Sequence, residues 1–432
     1  MNNTPSLESA SSEIVIVGAG PAGMAAALRA SESGVQVTLL DDNPGPGGQI
    51  WRGGDTVHLG SQASSWFTRF SRAKVRMVTG AQVISAHHAF RMLLVETPDR
   101  LIELRYGKLI LATGARELFL PFPGWTLPGI MGVGGLQALA KSGLPVSGKR
   151  IAVAGSGPLL LAVAAYLAEH GAQVVLIAEQ ASRRALLQFA AQLFRHPAKI
   201  IQAAGLQKDL FGIEYRQNCW VEAAEGDNRL RRLRFRQGER TWSIHCDFAA
   251  VAYGLIPNTE IASLLGCKLL AGAVAVDDQQ MTSTADVFCA GESTGIGGVD
   301  LSLIEGEIAG YAAAGQAERC RPLFAKRSRA RRFADLLHRS FRLRPELKQL
   351  PKADTVICRC EDVSYGILQG APSFRAAKLQ MRCGMGPCQG RICGPATEFL
   401  FGWKLEGVRP PIFPARIGSL AMESGWMEED LR

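Results

Sequence analysis

Ile14-Val-Ile-Val-Gly18-Ala-Gly20-Pro-Ala-Gly23, continued through Met24 to Ala30 and closed by Val37-Thr-Leu-Leu-Asp41, reads as strand, tight glycine turn, helix, strand and acid. Each part has a physical task. Gly18 permits the turn, Gly20 lets backbone N–H groups approach a pyrophosphate at the positive end of the helix, and Gly23 lets helix and strand pack closely. Val37, Leu39 and Asp41 alternate as a strand requires, so the Asp41 carboxylate emerges at the strand end, where it can accept from ribose hydroxyls. Three glycines alone would be weak evidence. With a strand before them, a helix after them and the acid at the next strand end, the stretch predicts a dinucleotide site rather than a turn made only for packing.

The totals fit a globular chain built around such a site. At 432 residues, 47% hydrophobic and 20% charged, it can hold two or three domains with sizeable cores. No run is long and apolar enough to predict a transmembrane helix. Residues 1–12 are polar, with neither a basic start nor an apolar centre, which predicts a short disordered arm and a cytoplasmic protein rather than a signal or an anchor. The net charge of +9 does not point to nucleic acid. Between Arg319 and Lys348 eleven Lys or Arg face only Asp335 and Glu346, and the remainder is balanced at 37 of each sign. This segment, centred on Lys326-Arg-Ser-Arg-Ala-Arg-Arg332, reads either as a solvated linker helix or as a surface for a partner subunit or an acidic membrane face. It lacks the interleaved aromatics of a nucleic-acid site.

Downstream of Asp41, the loop Asn43-Pro-Gly-Pro-Gly47-Gly48-Gln49 can bring backbone close to a ligand. Lys108-Leu-Ile-Leu-Ala-Thr113-Gly114 and Ala285-Asp-Val-Phe-Cys-Ala-Gly291-Glu292 are apolar strands that end in polar turns. A second strand–turn–helix–strand unit runs from Arg150 through Gly155-Ser-Gly157-Pro-Leu-Leu160 to Glu179. Its third glycine position is Leu160, whose bulk is expected to move the helix off the strand and reshape the phosphate cradle. Three readings of Gly155, Gly157 and Glu179 stand: a structural remnant, a site for some other adenine nucleotide, or working NAD(H) binding. None of the seven histidines, His58, His87, His88, His170, His196, His245 and His338, joins an evident acid–base set.

Cys219, Cys246, Cys267, Cys289 and Cys320 are scattered singly, as buried small hydrophobes are, and no Cys-x-x-Cys precedes the basic segment, which argues against dithiol chemistry. The other five cysteines, Cys358, Cys360, Cys383, Cys388 and Cys393, lie close together among Gly384, Gly386, Gly390 and Gly394. Structural zinc usually keeps two to four residues between paired cysteines. An iron-sulfur cluster needs four converging thiolates beside backbone N–H groups, which these glycines can supply. Iron-sulfur is the favoured reading and zinc stays open.

The Gly47-Gly48-Gln49 loop, Thr113-Gly114 and Gly291-Glu292 resemble, in order, the FAD-binding elements of two-dinucleotide-domain flavoproteins. Cys358-Arg-Cys360-Glu361 with Gly384-Met-Gly-Pro-Cys388-Gln-Gly-Arg-Ile-Cys393 resembles the bacterioferritin-associated-ferredoxin-like 2Fe-2S domain fused to flavoprotein dehydrogenases. Together with Phe122-Pro-Gly-Trp125, Tyr253-Gly-Leu-Ile-Pro-Asn258 and Arg409-Pro-Pro-Ile-Phe-Pro414, these motifs are similar to the FAD-binding (α-type) subunit of bacterial heteromeric amine and imino-acid dehydrogenases: opine oxidase, D-hydroxyproline dehydrogenase, dye-linked L-proline dehydrogenase and hydrogen cyanide synthase.

The resemblance implies an α/β, Rossmann-like, two-dinucleotide-domain fold with a small helical 2Fe-2S domain. It implies a discontinuous FAD domain (13–118 and 251–325), a second nucleotide domain (119–250), a basic linker (326–352), the cluster domain (353–404) and a tail (405–432). FAD would be held by Gly18, Gly20, Gly23, Asp41, Gln49, Thr113, Gly114, Gly291 and Glu292, the last standing where the family usually has Asp. The cluster would be held by Cys358, Cys360, Cys388 and Cys393, with Cys383 a bystander. A flavoprotein partner similar to D-amino acid oxidase would hold the amine, and electrons would leave to an external acceptor such as a quinone or the respiratory chain, in the cytoplasm or at the inner membrane face. Two other classes remain at this point: a self-sufficient NAD(H)-dependent reductase, and an assembly subunit with vestigial cofactors.

Overall fold

The computed structural model describes residues 6–52, 61–405 and 407–422. His58, residues 1–5 and the end of the tail from 423 lie outside the described residues. The chain forms two compact units, one of residues 1–116, 257–332 and 407–432, the other of residues 117–256 and 333–406.

The first unit is organised by a sheet whose central strands are Ser6–Val17 and Arg100–Leu111, paired in parallel. Val37–Leu40 and then Val75–Val78 extend it on one side, also in parallel. On its other side Arg100–Leu111 serves two partners. Its first half joins the antiparallel strands Met92–Glu96 and Gln82–His87, and its end pairs in parallel with Val287–Cys289. Ile14 to Val17 are all buried, as expected of a strand covered on both faces. The cover on one face is the helix Pro21–Ser31 crossed by Gly298–Ala313. A Cβ on Gly306 would lie 2.1 Å from the Ala22 carbonyl oxygen and one on Gly310 would lie 2.4 Å from that of Ala26, so only glycines allow this approach.

Two expectations are corrected here. The disordered arm does not extend to residue 12, because Ser6 to Ser12 continue the first strand and pair residue by residue with Arg100 to Tyr106. Their polarity reflects an alternating, half-exposed edge, and Glu8 bridges Arg76 and Arg100 at 3.3 and 3.0 Å. The basic segment is helical, Arg321–Ser340, but it is not simply solvated. Arg327 is buried and donates to the Asp278 carbonyl and carboxylate at 2.6 and 2.5 Å, and Arg331 pairs with the buried Glu305 at 2.9 Å. The tail is also tied down: Ile412 N–H donates to Ile84 O at 2.9 Å, and Arg416 and Ser419 meet Glu96.

In the second unit a parallel sheet has the order Tyr215–Gln217, Gln173–Glu179, Arg150–Gly155, Phe248–Ala252, Ile130–Met131. An antiparallel sheet, Trp220–Glu225, Arg232–Gln237 and Arg240–His245, accompanies it. The cysteine segment, with helices Tyr365–Leu368, Phe374–Met381 and Cys393–Phe401, belongs to this same compact unit. Trp125 Nε1 donates to Val356 O at 2.6 Å and joins the two parts.

Candidate functional site

In the first unit the glycine turn is built as the sequence requires. Gly18 has φ +102, and a Cβ there would sit 2.2 Å from Ala112 O. Gly20 stands just before the helix, where a Cβ would meet nothing nearer than Gly48 Cα at 3.9 Å. The first-turn N–H groups of a helix have no intrahelical acceptor, and no acidic side chain occupies this first turn, so an anion's place is left open. Gly47 N–H donates to Ala19 O at 2.8 Å and brings the Gly47-Gly48 loop against the turn, while Gln49 is exposed at its edge. Asp41, expected to meet ribose, is buried and accepts from Ala19 N–H at 2.5 Å and Asn43 N–H at 2.8 Å.

The other expected cofactor residues sit at the ends of neighbouring strands. Thr113 Oγ1 contacts Asn258 O at 2.7 Å and Ser293 Oγ at 2.9 Å, and Asn258 N–H donates to Gly114 O at 2.9 Å. Gly114 has φ +67 and open space where a Cβ would be. Gly291 N–H donates to Glu305 at 3.1 Å, while one Glu292 oxygen accepts from Gly298 N–H at 2.8 Å. The open cradle at Gly20 and Gly114, beside a free helix N-terminus, fits a pyrophosphate-bearing dinucleotide. Sequence reasoning missed Ser293, Glu305 and the positioning role of Asn258; only Asn258 lay within a motif that could have drawn attention to it.

The second unit holds the cysteine cluster. The sulfurs of Cys358, Cys383 and Cys393 all lie within 4.8 Å of one another, and all three residues are buried. Cys358 ends the strand Val356–Cys358, Cys393 opens the helix Cys393–Phe401, and Cys383 follows Arg382, whose left-handed conformation ends the helix Phe374–Met381. Gly384 N–H donates to Cys358 Sγ at 3.4 Å, and a Cβ on Gly386 would fall 2.2 Å from Cys360 Cβ.

The sulfurs push one another's pKa values apart. Hydrogen bonds from Cys383 and Cys393 hold Cys358 far below the usual thiol range, Cys383 rises to about 12 through its contact with Cys358, and Cys388 falls to about 5 through its bond to Cys393. Cys360, exposed, exchanges hydrogen bonds with Cys388. Thiols this close cannot all ionise beside one another without a cation among them, so the donor set fits a thiolate-bound metal or cluster. Of the residues predicted as ligands, Cys358 and Cys393 lie in the buried trio, Cys388 beside it and Cys360 outward. Cys383, expected as a bystander, is in the trio. A hollow of about 530 Å³ opens over the cluster, lined by Phe119, Trp125, Ile130 and Leu139 together with Cys360 and Cys388. The five scattered cysteines are all buried, as predicted.

The second glycine turn is closed by its own chain. The Glu179 carboxylate accepts from Gly157 N–H and Ala181 N–H, each at 2.7 Å. Ser156 Oγ reaches Phe341 O at 3.2 Å, Gln180 Nε2 donates to Arg342 O at 3.0 Å, and Arg344 stacks over Trp220. Phe341 is the nearest neighbour of the space a Gly157 Cβ would take. The segment Phe341–Arg344 therefore lies across the turn where a nucleotide's phosphates would approach. Leu160 is buried in the core with Val153 and Val163.

Burial raises the Glu179 carboxyl from 4.5 to about 7, against the hydrogen bonds from Ala181, Gly157 and Ser156. Between those values the folded chain keeps a proton that the unfolded chain releases, so stability falls as pH rises through this window and levels off above it. Glu179→Gln is expected to shrink the loss of Tm between pH 5 and 8, removing at most about 3 kcal/mol of pH dependence. An unchanged Tm profile by scanning calorimetry would refute this.

Comparison with known proteins places these features in context. Residues 12–317 match the family described as pyridine nucleotide-disulphide oxidoreductase. The hydrogen cyanide synthase subunit HcnB of Pseudomonas aeruginosa is 31% identical, over 88% of this chain and 90% of that protein. The A subunit of opine oxidase from Rhizobium meliloti is 30% identical, over 95% of this chain and 98% of that one. Among solved structures, L-proline dehydrogenase from P. horikoshii shares the fold with a TM-score of 0.67 at 20% identity, covering 96% of this chain and 80% of its own.

Proposed function

The chain belongs to the pyridine nucleotide-disulphide oxidoreductase family as an FAD-dependent oxidoreductase, and from that premise we propose that it is the electron-transferring subunit of a heteromeric dehydrogenase or oxidase of amino or imino acids. The observation that carries the proposal is the convergence of the Cys358, Cys383 and Cys393 sulfurs within a chain that also builds a dinucleotide cradle. FAD takes electrons in pairs and an iron-sulfur cluster passes them singly, so a protein holding both can connect a two-electron substrate to a one-electron carrier.

In this reading Gly18, Gly20, Gly23 and Asp41 hold the adenosine and pyrophosphate half of FAD. Thr113 and Gly114, fixed by Asn258 and Ser293, and Gly291 and Glu292, fixed through Glu305 and Gly298, shape the rest. Cys358 and Cys393 are the central thiolates of a 2Fe-2S cluster, with Cys388 and one of Cys360 and Cys383 supplying the two remaining places. The hollow over the cysteines has apolar walls and stays open on its outer side, where Cys360 is exposed. The amine, of opine, hydroxyproline, proline or glycine type, is oxidised in a flavoprotein partner similar to D-amino acid oxidase. That two similar proteins are themselves named as enzyme subunits supports the partnership. Electrons leave to a quinone or a respiratory carrier. The segment Phe341–Arg344 over the second glycine turn weighs against the alternative of a self-sufficient NAD(H)-dependent reductase.

The test is an anaerobic visible spectrum of the purified chain with NADH, then with proline, hydroxyproline and opines, then with the partner flavoprotein added. Flavin and cluster bands are expected to persist until partner and amine are both present. Bleaching by an amine alone would place the substrate site in this chain, and bleaching by NADH alone would restore the second nucleotide site; either result overturns the proposal.

A further inference from the structure

The helices Arg183–Leu193 and Pro197–Asp209 present a face that the electron-transfer reading does not use. Large apolar side chains stand in solvent here: Leu187 is 62% exposed, Phe194 79%, Ile201 75% and Phe211 93%. Single exposed hydrophobes are ordinary, but four in one short stretch form a pattern. Leu187 and Phe194 are two helical turns apart and so share one face, with exposed Ala190 between them. The first helix has no fully buried residue. It rests on the body of its unit through half-buried Leu186 and through Phe189, whose ring meets Phe341 edge-on at 5.3 Å.

The charges are as uneven as the apolar groups. From Gln180 to Lys208 the chain carries Arg183, Arg184, Arg195, Lys199 and Lys208 and no Asp or Glu. Arg183, Arg184, Arg195 and Lys208 are exposed on the same two helices as the apolar side chains, or in the turn between them. Helices that combine outward Phe, Leu and Ile with five flanking cations, against the single carboxylate of Asp209 at the end of the second helix, have the composition of segments that lie in the headgroup region of a bilayer. A protein partner of stable affinity would call for a pocketed, centrally buried cluster, whereas these four side chains are spread along two helices and the turns after them.

We propose that this helix pair binds an anionic lipid surface, with Leu187, Phe194, Ile201 and Phe211 entering the interface and the arginines and lysines meeting lipid phosphates. The inference stands on this face alone and does not depend on the redox assignment. Each cation near an anionic surface strengthens binding by about fivefold, so the attraction is steep in lipid charge and weakens with salt.

Full-length, flavin-loaded protein is floated with vesicles of phosphatidylcholine, with and without phosphatidylglycerol. Binding is expected only with the anionic lipid and should fall as salt is raised. The variant carrying Leu187→Ser, Phe194→Ser, Ile201→Ser and Phe211→Ser should lose more than about tenfold in affinity while keeping its flavin spectrum. A second variant, Arg184→Glu with Arg195→Glu and Lys208→Glu, tests the same face without altering its apolar groups and should lose at least as much. Failure of the wild type to bind anionic vesicles, or wild-type binding by the charge variant, overturns the proposal. Unchanged vesicle binding by the serine variant overturns it equally.

Discussion

A Gly23→Val chain is expected to emerge without flavin. A Cβ at residue 23 would lie 1.8 Å from the Gly18 carbonyl oxygen and 2.9 Å from its carbon, both backbone atoms of the turn itself. Neither can rotate aside as a side chain can, so the helix Pro21–Ser31 would have to leave the strand end. That helix is held from behind by Gly306 and Gly310, which leave no slack on the other side. The cost is about 3 kcal/mol or more, concentrated where phosphate must be bound. Gly20→Ala separates folding from binding. Its added methyl meets nothing nearer than 3.9 Å, so the chain should fold while the methyl stands where a pyrophosphate needs close backbone approach. Flavin released on denaturation and far-UV circular dichroism would distinguish the two variants. A Gly20→Ala protein with full flavin content would mean that the pyrophosphate lies elsewhere.

Cys358→Ser should remove the cluster and leave the flavin. The Cys358 sulfur accepts from Gly384 N–H and from the thiols of Cys383 and Cys393, so it stands at the centre of the donor set. Its loss takes away the sulfur on which Cys383 and Cys393 converge, while the dinucleotide cradle draws on none of these residues. Iron and acid-labile sulfide should fall to background, with the flavin bands retained. The companion pair Cys383→Ser and Cys360→Ser tests the ligand set. Because Cys383 lies in the buried trio and Cys360 is exposed, Cys383→Ser is expected to lower iron content more. The reverse order would return Cys383 to the role of bystander.

The dinucleotide fold was legible because its signals are local: glycines, an apolar run and an acid within thirty residues fix the turn, the helix and the register of two strands. Thr113 and Gly291 were legible as strand ends. Ser293 and Glu305 were not, because their importance lies in hydrogen bonds to residues that no local motif links to them. The same reason hid the first strand's early half, whose Ser and Glu residues look unstructured until Arg100 to Tyr106 lie beside them. Leu160 drew attention at the second glycine turn, but it packs into the core with Val153 and Val163, and what lies across the turn is a loop that begins at Phe341, which no local pattern links to Gly157. The basic segment misled through its totals, since counting charges does not reveal that Arg327 is buried and paired with Asp278, or that Arg331 reaches the buried Glu305.

The strand Val287–Cys289 has a consequence for how the protein is made. It completes the sheet beside Arg100–Leu111, and Ser293 reaches back 180 residues to Thr113. On the ribosome, the first half of the cradle must therefore wait with an open sheet edge while the whole of Glu117–Ile256 is synthesised, roughly seven to thirty seconds at ordinary elongation rates. The inserted residues can begin to fold during that delay, but the cradle cannot. Cofactor capture is thus a late event of biosynthesis, and nascent chains stalled before residue 287 would be the species most in need of a chaperone.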